Sequence, residues 1–258
     1  MRIDKYIFEK GDAPSRQKAR EMIEAGFVTV GDRQVTKPSF EVDPDNDFVK
    51  VLGRPYEYVG RGGVKLESAL KGFKIDPKGL VAADIGSSTG GFTDCLLRYG
   101  AKKVFAIDSG RDQLHKSLRA DSRVVVMEGF NARELGEAAL GEKVDITVCD
   151  VSFISQKYIY PSVTAILKED GIFVSLIKPQ FEAGREHLNK KGIVKDIKIH
   201  KRVIESCISE AARLGLACKG VISSPISGGD GNVEYLAMFR YTSDKSELRI
   251  GDVMPNGL

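Results

Sequence analysis

The hydrophobic pattern of the chain changes near residue 52. Before it, two short helical patterns appear: Ile3, Tyr6 and Ile7 share one face of the first, and Ser15 caps the second, which covers residues 16–25. Short valine-containing segments then predict three small strands, at residues 28–30, 34–35 and 48–51. The sequence therefore predicts a small α+β module at the N-terminus.

After residue 60 apolar strand segments alternate with amphipathic helix segments. Seven strands are predicted: Leu80–Ile85, Lys103–Asp108, Val124–Glu128, Asp145–Asp150, Gly171–Ile177, Ala217–Ile222 and Glu234–Arg240. Four helices are predicted among them: Gly91–Tyr99, Gln113–Arg119, Gln156–Lys168 and Lys198–Leu214. Such alternation indicates an α/β domain built on a Rossmann-like parallel sheet. The segment between the last two strands has no helical pattern, so we expect those strands to pair antiparallel.

These patterns divide the chain into four parts. Residues 1–52 are predicted to form the small module, and residues 53–60 a linker that contains glycine and proline. Residues 61–245 are predicted to form the α/β domain, and residues 246–258 a polar tail.

Composition narrows the function classes. Apolar residues make up 42% and charged residues 29% of the chain, as in soluble globular proteins. The sequence has neither a run of 18 apolar residues nor an apolar N-terminal signal, so we expect no membrane partner. The four cysteines form no Cys-x-x-Cys pair, which favours a reduced cytoplasmic protein without a metal site.

The most informative local pattern is a strand that runs into a glycine-rich turn, V-A-A-D-I-G-S-S-T-G-G-F-T-D. Asp84 lies near the end of the strand, and Gly86, Gly90 and Gly91 allow a ligand to approach the backbone closely. The next strand ends at Asp108, where a carboxylate can bind both hydroxyls of a ribose. The pattern predicts a site for a nucleotide-type cofactor.

The turn also selects among such cofactors. Ser88 stands where the dinucleotide fingerprint needs its second glycine, and Phe92 follows Gly91 where a phosphate-binding loop would carry lysine. A ligand with a ribose but no phosphate fits this turn better. The sequence therefore points to S-adenosylmethionine (AdoMet).

Four charged residues are predicted near the same edge of the sheet. Lys65 precedes the first strand, Asp150 and Lys178 end two others, and Glu234 opens the last. Strand ends often carry charges simply because they meet water. Their joint occurrence nevertheless predicts a reaction centre, since ligands bind at the carboxyl ends of parallel strands.

Several motifs together resemble the TlyA family of ribosomal RNA 2′-O-ribose methyltransferases, also labelled hemolysins: R-G-G-V-K-L, D-I-G-S-S-T-G-G-F-T-D, N-A-R, D-V-S-F-I-S, L-I-K-P-Q-F-E and G-N-V-E-Y. The resemblance covers nearly the whole chain and implies a seven-stranded AdoMet-dependent methyltransferase sheet similar to that of FtsJ-type enzymes. It also implies a catalytic Lys-Asp-Lys-Glu tetrad, here Lys65, Asp150, Lys178 and Glu234.

The N-terminal segment resembles a second family. R-I-D-K-Y, S-R-Q-K-A-R-E-M-I-E-A-G-F-V-T-V-G-D and V-T-K-P are similar to the αL-type RNA-binding module of a small-subunit ribosomal protein, the S4-like domain. This resemblance implies that ribosomal RNA or ribosomal subunits are the partner.

The resemblances and the spacing together assign roles to further residues. The predicted cofactor-binding residues are Asp84, Gly86, Ser88, Gly90, Gly91, Phe92, Asp108, Asn131 and Asp150. The predicted RNA-binding residues are Arg16, Lys18, Arg20, Lys37, Arg61, Lys190 and Lys191, with Lys195 in the same loop as the last two. Asn131 could instead cap a helix, and Phe153 could stack on a base or be buried.

The chemistry agrees with methylation of an oxygen. A lysine beside a second lysine and partly shielded from water holds its proton less tightly, so Lys178 could act as base while Lys65 stabilises the oxyanion. Asp150 and Glu234 would orient the two lysines. The chain lacks the Pro-Pro motif common in amine methyltransferases after Asp150, and Cys149 lies within an apolar strand.

Two other interpretations remain open from the sequence. The protein could be a non-catalytic RNA-binding or ribosome-assembly factor with a vestigial methyltransferase fold. It could also be a membrane-active hemolysin, although the sequence offers no strongly amphipathic basic helix for insertion.

Overall fold

The computed structural model describes residues 1–13, 15–53, 57–228 and 231–243. Residues 54–56 of the predicted linker and the predicted tail at 246–258 lie outside the described residues. The chain divides into two compact units, Met1–Glu57 and a second unit that begins at Tyr58.

The first unit contains two helices and a small sheet. Its elements are α1 (Ile3–Glu9), α2 (Arg16–Glu24), β1 (Val28–Val30), β2 (Arg33–Gln34) and β3 (Val49–Val51). The strands pair antiparallel in the order β2-β1-β3. Ser15 caps α2, since its Oγ accepts a hydrogen bond from the Lys18 N–H at 3.2 Å. The apolar faces of both helices, with Ile3, Ile7 and Ile23, pack with the sheet in a core of their own.

The second unit is a seven-stranded sheet with helices. Its strands are β4 (Val81–Ile85), β5 (Lys103–Asp108), β6 (Val124–Glu128), β7 (Val144–Cys149), β8 (Leu167–Ile177), β9 (Leu216–Ser223) and β10 (Tyr235–Tyr241). Its α-helices are α3 (Gly62–Gly72), α4 (Gly91–Arg98), α5 (Lys116–Arg119), α6 (Glu137–Leu140), α7 (Tyr160–Ile166), α8 (Pro179–Glu182) and α9 (Ile197–Arg213). Two separate apolar clusters include residues of these strands, as expected for a sheet buried on both faces.

The sheet order is β6-β5-β4-β7-β8-β10-β9. Strands β4 to β8 are parallel, and β10 runs antiparallel to both of its neighbours. The structure therefore confirms the seven predicted strands and the predicted antiparallel pairing of β9 with β10. The order reverses between β4 and β7, and such a switch point is where α/β sheets bind ligands.

The reversed direction of β10 decides where its first residues lie. Tyr235 pairs with Ile177, and the pairing continues along both strands. One residue further in the same register, Glu234 lies opposite Lys178. A residue that opens an antiparallel strand thus lies at the same edge as the residues that end its parallel neighbours.

Two helical predictions differ from the structure, and α3 was not predicted. The prediction at 113–119 was too long, because Glu128 accepts hydrogen bonds from the backbone N–H groups of residues 112–114 and holds them as a loop before α5. The prediction at 156–168 divides into a 3-10 turn at 156–158 and α7, and β8 already begins at Leu167. The sequence analysis did not predict α3 although Leu66, Ala69 and Leu70 have helical spacing.

Candidate active site

A cleft of ≈390 Å³ opens at the carboxyl edge of the sheet. Its lining includes Gly86, Ser88, Asp108, Asn131 and Asp150. These five residues come from the turn after β4 and from the ends of β5, β6 and β7. The structure thus brings together five of the nine predicted cofactor-binding residues.

Gly86 directly follows β4 and lies against the backbone of the residue that follows β7. Its φ is 83°, and a Cβ added to it would lie 2.6 Å from the carbonyl oxygen of Asp150. A side chain at this position would push apart two strands that each carry a cleft residue. Glycine is therefore required here for the backbone and for the approach of β7.

The Asp108 carboxylate is fixed by backbone groups. Its Oδ2 accepts a hydrogen bond from the Ser88 N–H at 2.8 Å, and its Oδ1 accepts one from the Gly110 N–H at 2.7 Å. Ser88 itself adopts φ 47°, so the turn keeps a left-handed residue although it lacks glycine there. Each carboxylate oxygen retains a second lone pair, which leaves acceptors for the hydroxyls of a ribose.

Four predicted cofactor-binding residues lie outside the cleft lining: Asp84, Gly90, Gly91 and Phe92. A Cβ on Gly90 would clash with Leu118, and a Cβ on Gly91 would lie 3.0 Å from the Gly63 N atom. Phe92 is buried between these elements and packs in the apolar cluster with Leu66. In the structure Gly90, Gly91 and Phe92 allow α3, α4 and the neighbouring segments to pack closely. Their contact with a cofactor stays a prediction.

Asp84 lies fully buried at the end of β4. The Thr93 hydroxyl donates a hydrogen bond to its Oδ2 at 2.6 Å, whereas its Oδ1 is buried without a partner. Burial raises the pKa of Asp84 to about 7, and the charge of Asp150 contributes to this rise. The raised pKa means that Asp84 holds a proton more readily than an exposed aspartate does.

Asn131 takes on the role of a cap. Its Oδ1 accepts the Arg133 N–H at 3.2 Å, and its Nδ2 donates to Glu134 at 3.1 Å. It nevertheless lines the cleft. Both roles foreseen for this residue are therefore compatible with its position.

Asp150 and Lys178 form an ion pair at the wall of the cleft. Lys178 Nζ lies 2.5 Å from Asp150 Oδ1 and donates a hydrogen bond to Ser152 Oγ at 2.8 Å. Only 11% of the Lys178 side chain is exposed. Two of the directions around the amine are thus occupied by protein groups, and the analysis of the sequence had not singled out Ser152.

Lys65 and Glu234 form a second ion pair, which is buried. Lys65 Nζ lies 2.5 Å from Glu234 Oε2, and their side chains are 5% and 3% exposed. They are 169 positions apart in the chain. Because Glu234 lies opposite Lys178 in the β8–β10 register, the four predicted tetrad residues form two ion pairs side by side at one edge of the sheet.

The glycines before Lys65 explain how α3 reaches this edge. A Cβ on Gly91 would lie within 3.2 Å of backbone atoms of residues 60, 62 and 63, so α3 and α4 approach backbone to backbone at their N-termini. Lys65, in the first turn of α3, thereby lies next to the turn that follows β4. The R-G-G-V-K motif combines close packing with a charged side chain.

Comparison with known proteins identifies the family. The model of FtsJ-like methyltransferases matches residues 58–241, and the model of S4 domains matches residues 1–49. The chain belongs to the FtsJ-like methyltransferase family. Its methyltransferase region is preceded by an S4 domain, as the N-terminal motifs implied.

Individual relatives cover almost the whole chain. The chain is 40% identical over 245 residues to the 16S/23S rRNA (cytidine-2′-O)-methyltransferase TlyA of Mycobacterium tuberculosis, covering 95% of this chain and 91% of the relative. It is 42% identical over 240 residues to Hemolysin A of Brachyspira hyodysenteriae, covering 93% and 99%. A solved structure named "Putative hemolysin from Streptococcus thermophilus" is 40% identical, with a TM-score of 0.76 over 94% of this chain and 89% of that chain.

Two of the basic residues predicted in the S4 domain, Arg16 and Arg20, belong to an ion-pair cluster. Asp4 is fully buried and pairs with Arg2, Arg16 and Arg20 at 3.0, 3.2 and 3.4 Å. Burial raises the pKa of Asp4, but the hydrogen bonds from Arg2 and Arg16 outweigh it and bring the pKa to about 2. The guanidinium groups are about half exposed, so the cluster fixes them while part of each faces water. The sequence analysis missed Asp4.

The other predicted RNA-binding residues have varied surroundings. Lys18 pairs with Glu21 at 3.3 Å, Lys37 is exposed, and Arg61 is half-buried beside α3. Lys190 and Lys191 are exposed in a loop held by the Asn189 side chain, whose Oδ1 accepts two backbone N–H groups. Their contact with RNA stays a prediction.

Phe153 lies at the mouth of the cleft. Its side chain is 91% exposed, its φ is 63°, and its ring lies 4.9 Å from that of Phe181. Of the two roles weighed for this residue, the structure contradicts burial, since the D-V-S-F-I-S loop turns the ring outward. An exposed ring beside Lys178 is available for stacking on a base.

Two further properties of the described residues bear on other functions. Within them, no helix combines the length and hydrophobicity that a bilayer crossing requires. In the same part of the chain, no group of three or more His, Cys, Asp or Glu side chains is arranged to hold a metal ion.

Proposed function

We propose that this protein transfers the methyl group of AdoMet to the 2′-hydroxyl of a cytidine ribose in ribosomal RNA, and acts in the cytoplasm. The observation that carries the proposal is the pair of ion pairs, Asp150–Lys178 and Lys65–Glu234, at the edge of the cofactor cleft. The TlyA relative named for this reaction supports the choice of nucleotide and substrate.

The residues of the cleft fit AdoMet. Asp108 offers acceptors to the ribose hydroxyls. The turn holds no lysine for a phosphate. AdoMet, when bound, supplies an electrophilic methyl group on a sulfonium sulfur.

Lys178 is suited to remove the proton of the 2′-hydroxyl. In its neutral form the amine has two hydrogens and one lone pair. Asp150 and Ser152 lie on two sides of the amine, which leaves its remaining side for the hydroxyl of the ribose. Lys178 would then hold this proton on Nζ while the 2′-oxygen takes the methyl group that bound AdoMet would supply.

Lys65 would stabilise the negative charge that develops on the oxygen, and Glu234 holds its amine in place. General-base assistance contributes about 10²–10⁴-fold to a rate, whereas positioning can supply roughly 7–11 kcal/mol. We therefore expect the orientation of the ribose to contribute more than proton transfer. Phe153 would stack on the target base or its neighbour.

The test uses unmodified ribosomal subunits and labelled AdoMet. The full-length protein should transfer label to RNA, and alkaline hydrolysis should show a gap at one cytidine, because a 2′-O-methyl group blocks cleavage of its own linkage. Transfer of label without a gap would assign the methyl group to a base and refute the proposal.

Lys178→Ala tests the catalytic assignment in the same assay. Its turnover should fall by at least ~10²-fold because the base is removed, while the Kd for AdoMet measured by calorimetry stays within about twofold. Lys219→Ala, at an exposed lysine on β9, serves as the matched control. Full activity of Lys178→Ala would show that this amine is not the base.

A further inference from the structure

The loop over residues 150–156 has a conformation that its own sequence disfavours. Phe153 adopts φ 63°, in the left-handed region that large L-residues avoid, and its ring is 91% exposed. Each feature costs free energy unless neighbouring groups hold the loop. The groups that hold it are therefore of interest for the reaction.

The loop is fixed at its start by Lys178. The amine contacts Asp150 and Ser152, two residues at the beginning of the loop. Immediately after Lys178, Pro179 starts the single helical turn α8. Proline restricts the backbone at this position, so the turn extends from the lysine in a defined direction.

The same loop is fixed at its end by Glu182, the last residue of α8. Glu182 Oε2 accepts a hydrogen bond from the Ser155 hydroxyl at 2.6 Å, and Oε1 accepts one from the Gln156 N–H at 2.8 Å. Between the two attachments the ring of Phe181 lies against that of Phe153. One helical turn therefore joins both ends of the loop.

Glu182 is half-buried and makes both contacts that hold the end of the loop. Burial raises the pKa of its carboxyl, although the hydrogen bonds from Ser155 and Gln156 and the charge of Lys157 oppose the rise. Each carboxylate oxygen accepts from a different loop residue, so a side chain without hydrogen-bonding groups would release the end of the loop.

We propose that Glu182 is a positioning residue: it holds the 150–156 loop against α8 so that Phe153 presents its ring and Asp150 keeps the Lys178 amine aimed at the ribose. This inference rests on the proposed function. Glu182 touches neither cofactor nor RNA in this arrangement and acts through Ser155 and Gln156.

Loop order can be measured independently of activity. The chain contains no tryptophan, so Phe153→Trp introduces a single fluorescent reporter at the loop. In this background Glu182→Ala should lower the fluorescence anisotropy of the tryptophan. Glu182→Gln should leave it unchanged, since the amide oxygen can still accept from the Gln156 N–H while the amide NH2 donates to the Ser155 hydroxyl. Glu186→Ala, whose side chain is 73% exposed one turn further on, is the matched control.

Activity is measured with Phe153 intact. Glu182→Ala should lower kcat about 10- to 100-fold, as expected for a misplacement of about 1 Å, with the AdoMet Kd unchanged within twofold. Glu182→Gln should recover most of the rate, and Glu186→Ala all of it. If Glu182→Ala does not fold, Ser155→Ala removes one of the two hydrogen bonds and should lower kcat by a smaller factor.

Two results would overturn the inference: wild-type kcat in Glu182→Ala or Ser155→Ala, or an anisotropy that does not respond to Glu182→Ala. Equal loss of rate in Glu182→Gln and Glu182→Ala would also oppose it, because hydrogen bonding would then not be the property required. If the wild-type protein does not methylate RNA, the proposed function fails, and the anisotropy measurement still tests whether Glu182 orders the loop.

Discussion

At the scale of single residues, the site depends on charges that are paired or buried. Asp150 lines the cleft and pairs with Lys178, and Lys65 and Glu234 are almost fully buried. Asp84 is more unusual, because one of its oxygens is buried without a partner. Its ionisation gives the first prediction.

Asp84→Asn should stabilise the cofactor-free protein more at pH 8 than at pH 5. The pKa of Asp84 is raised from 3.8 to about 7, so the folded state binds the extra proton and stability falls as pH rises through that interval. The neutral amide removes this loss while still accepting from Thr93. The pH-dependent part of the gain should be about 2 kcal/mol, or about 4–8 °C in Tm by calorimetry. An equal gain at both pH values would contradict the assignment.

Variants of the buried pair Lys65–Glu234 can distinguish its contribution to stability from its contribution to catalysis. Lys65→Met alone leaves the Glu234 carboxylate buried without its partner and should destabilise the protein by about 3 kcal/mol in urea unfolding. The double variant Lys65→Met, Glu234→Leu should recover most of that stability, because no charge is left unpaired. Methyl transfer should stay low in both variants, and activity of the double variant near wild type would exclude Lys65 from the reaction.

At the scale of elements, the contact between α3 and α4 positions Lys65. Gly91→Ala should place a methyl group about 3 Å from backbone atoms that cannot rotate away, which should cost about 1–3 kcal/mol and displace α3. We expect lower kcat together with lower stability. Gly136→Ala is the matched control, since nothing lies within 4 Å of its added Cβ. Similar behaviour of the two variants would show that α3 tolerates displacement.

At the scale of the whole molecule, the proposed substrate is a polyanion, whereas the formal net charge of the chain is only +3. Local basic segments must then contribute to RNA binding. Lys190→Glu with Lys191→Glu should weaken binding to ribosomal RNA and flatten its dependence on salt concentration by about one to two charges, without changing the AdoMet Kd. Filter binding over a salt series measures both quantities. If the dependence of binding on salt concentration did not change, these two lysines would not be part of the RNA-binding surface.

The strands and the cofactor turn were predictable from the sequence, because their signals are local. Strands β5 and β6 have the predicted bounds, and the others differ by a few residues at their ends. Buried parallel strands read as continuous apolar segments, and the glycine turn and Asp108 follow them at fixed spacing. The charged residues at the sheet edge could also be found, since each lies at or near a predicted strand end or in a recognisable motif.

The pairing of those charges was decided only by the tertiary structure. Lys65 meets Glu234 across 169 positions because α3 packs on α4 and β10 runs against the other strands. Local sequence patterns do not predict which side chains come into contact through such long-range packing. The roles of Asp4, Ser152 and Glu182 were hidden for the same reason. Local sequence patterns were enough to predict the strands, the glycine turn and the charged candidate residues. Which charges pair and which are buried followed from the fold, because these properties arise only when distant segments pack together.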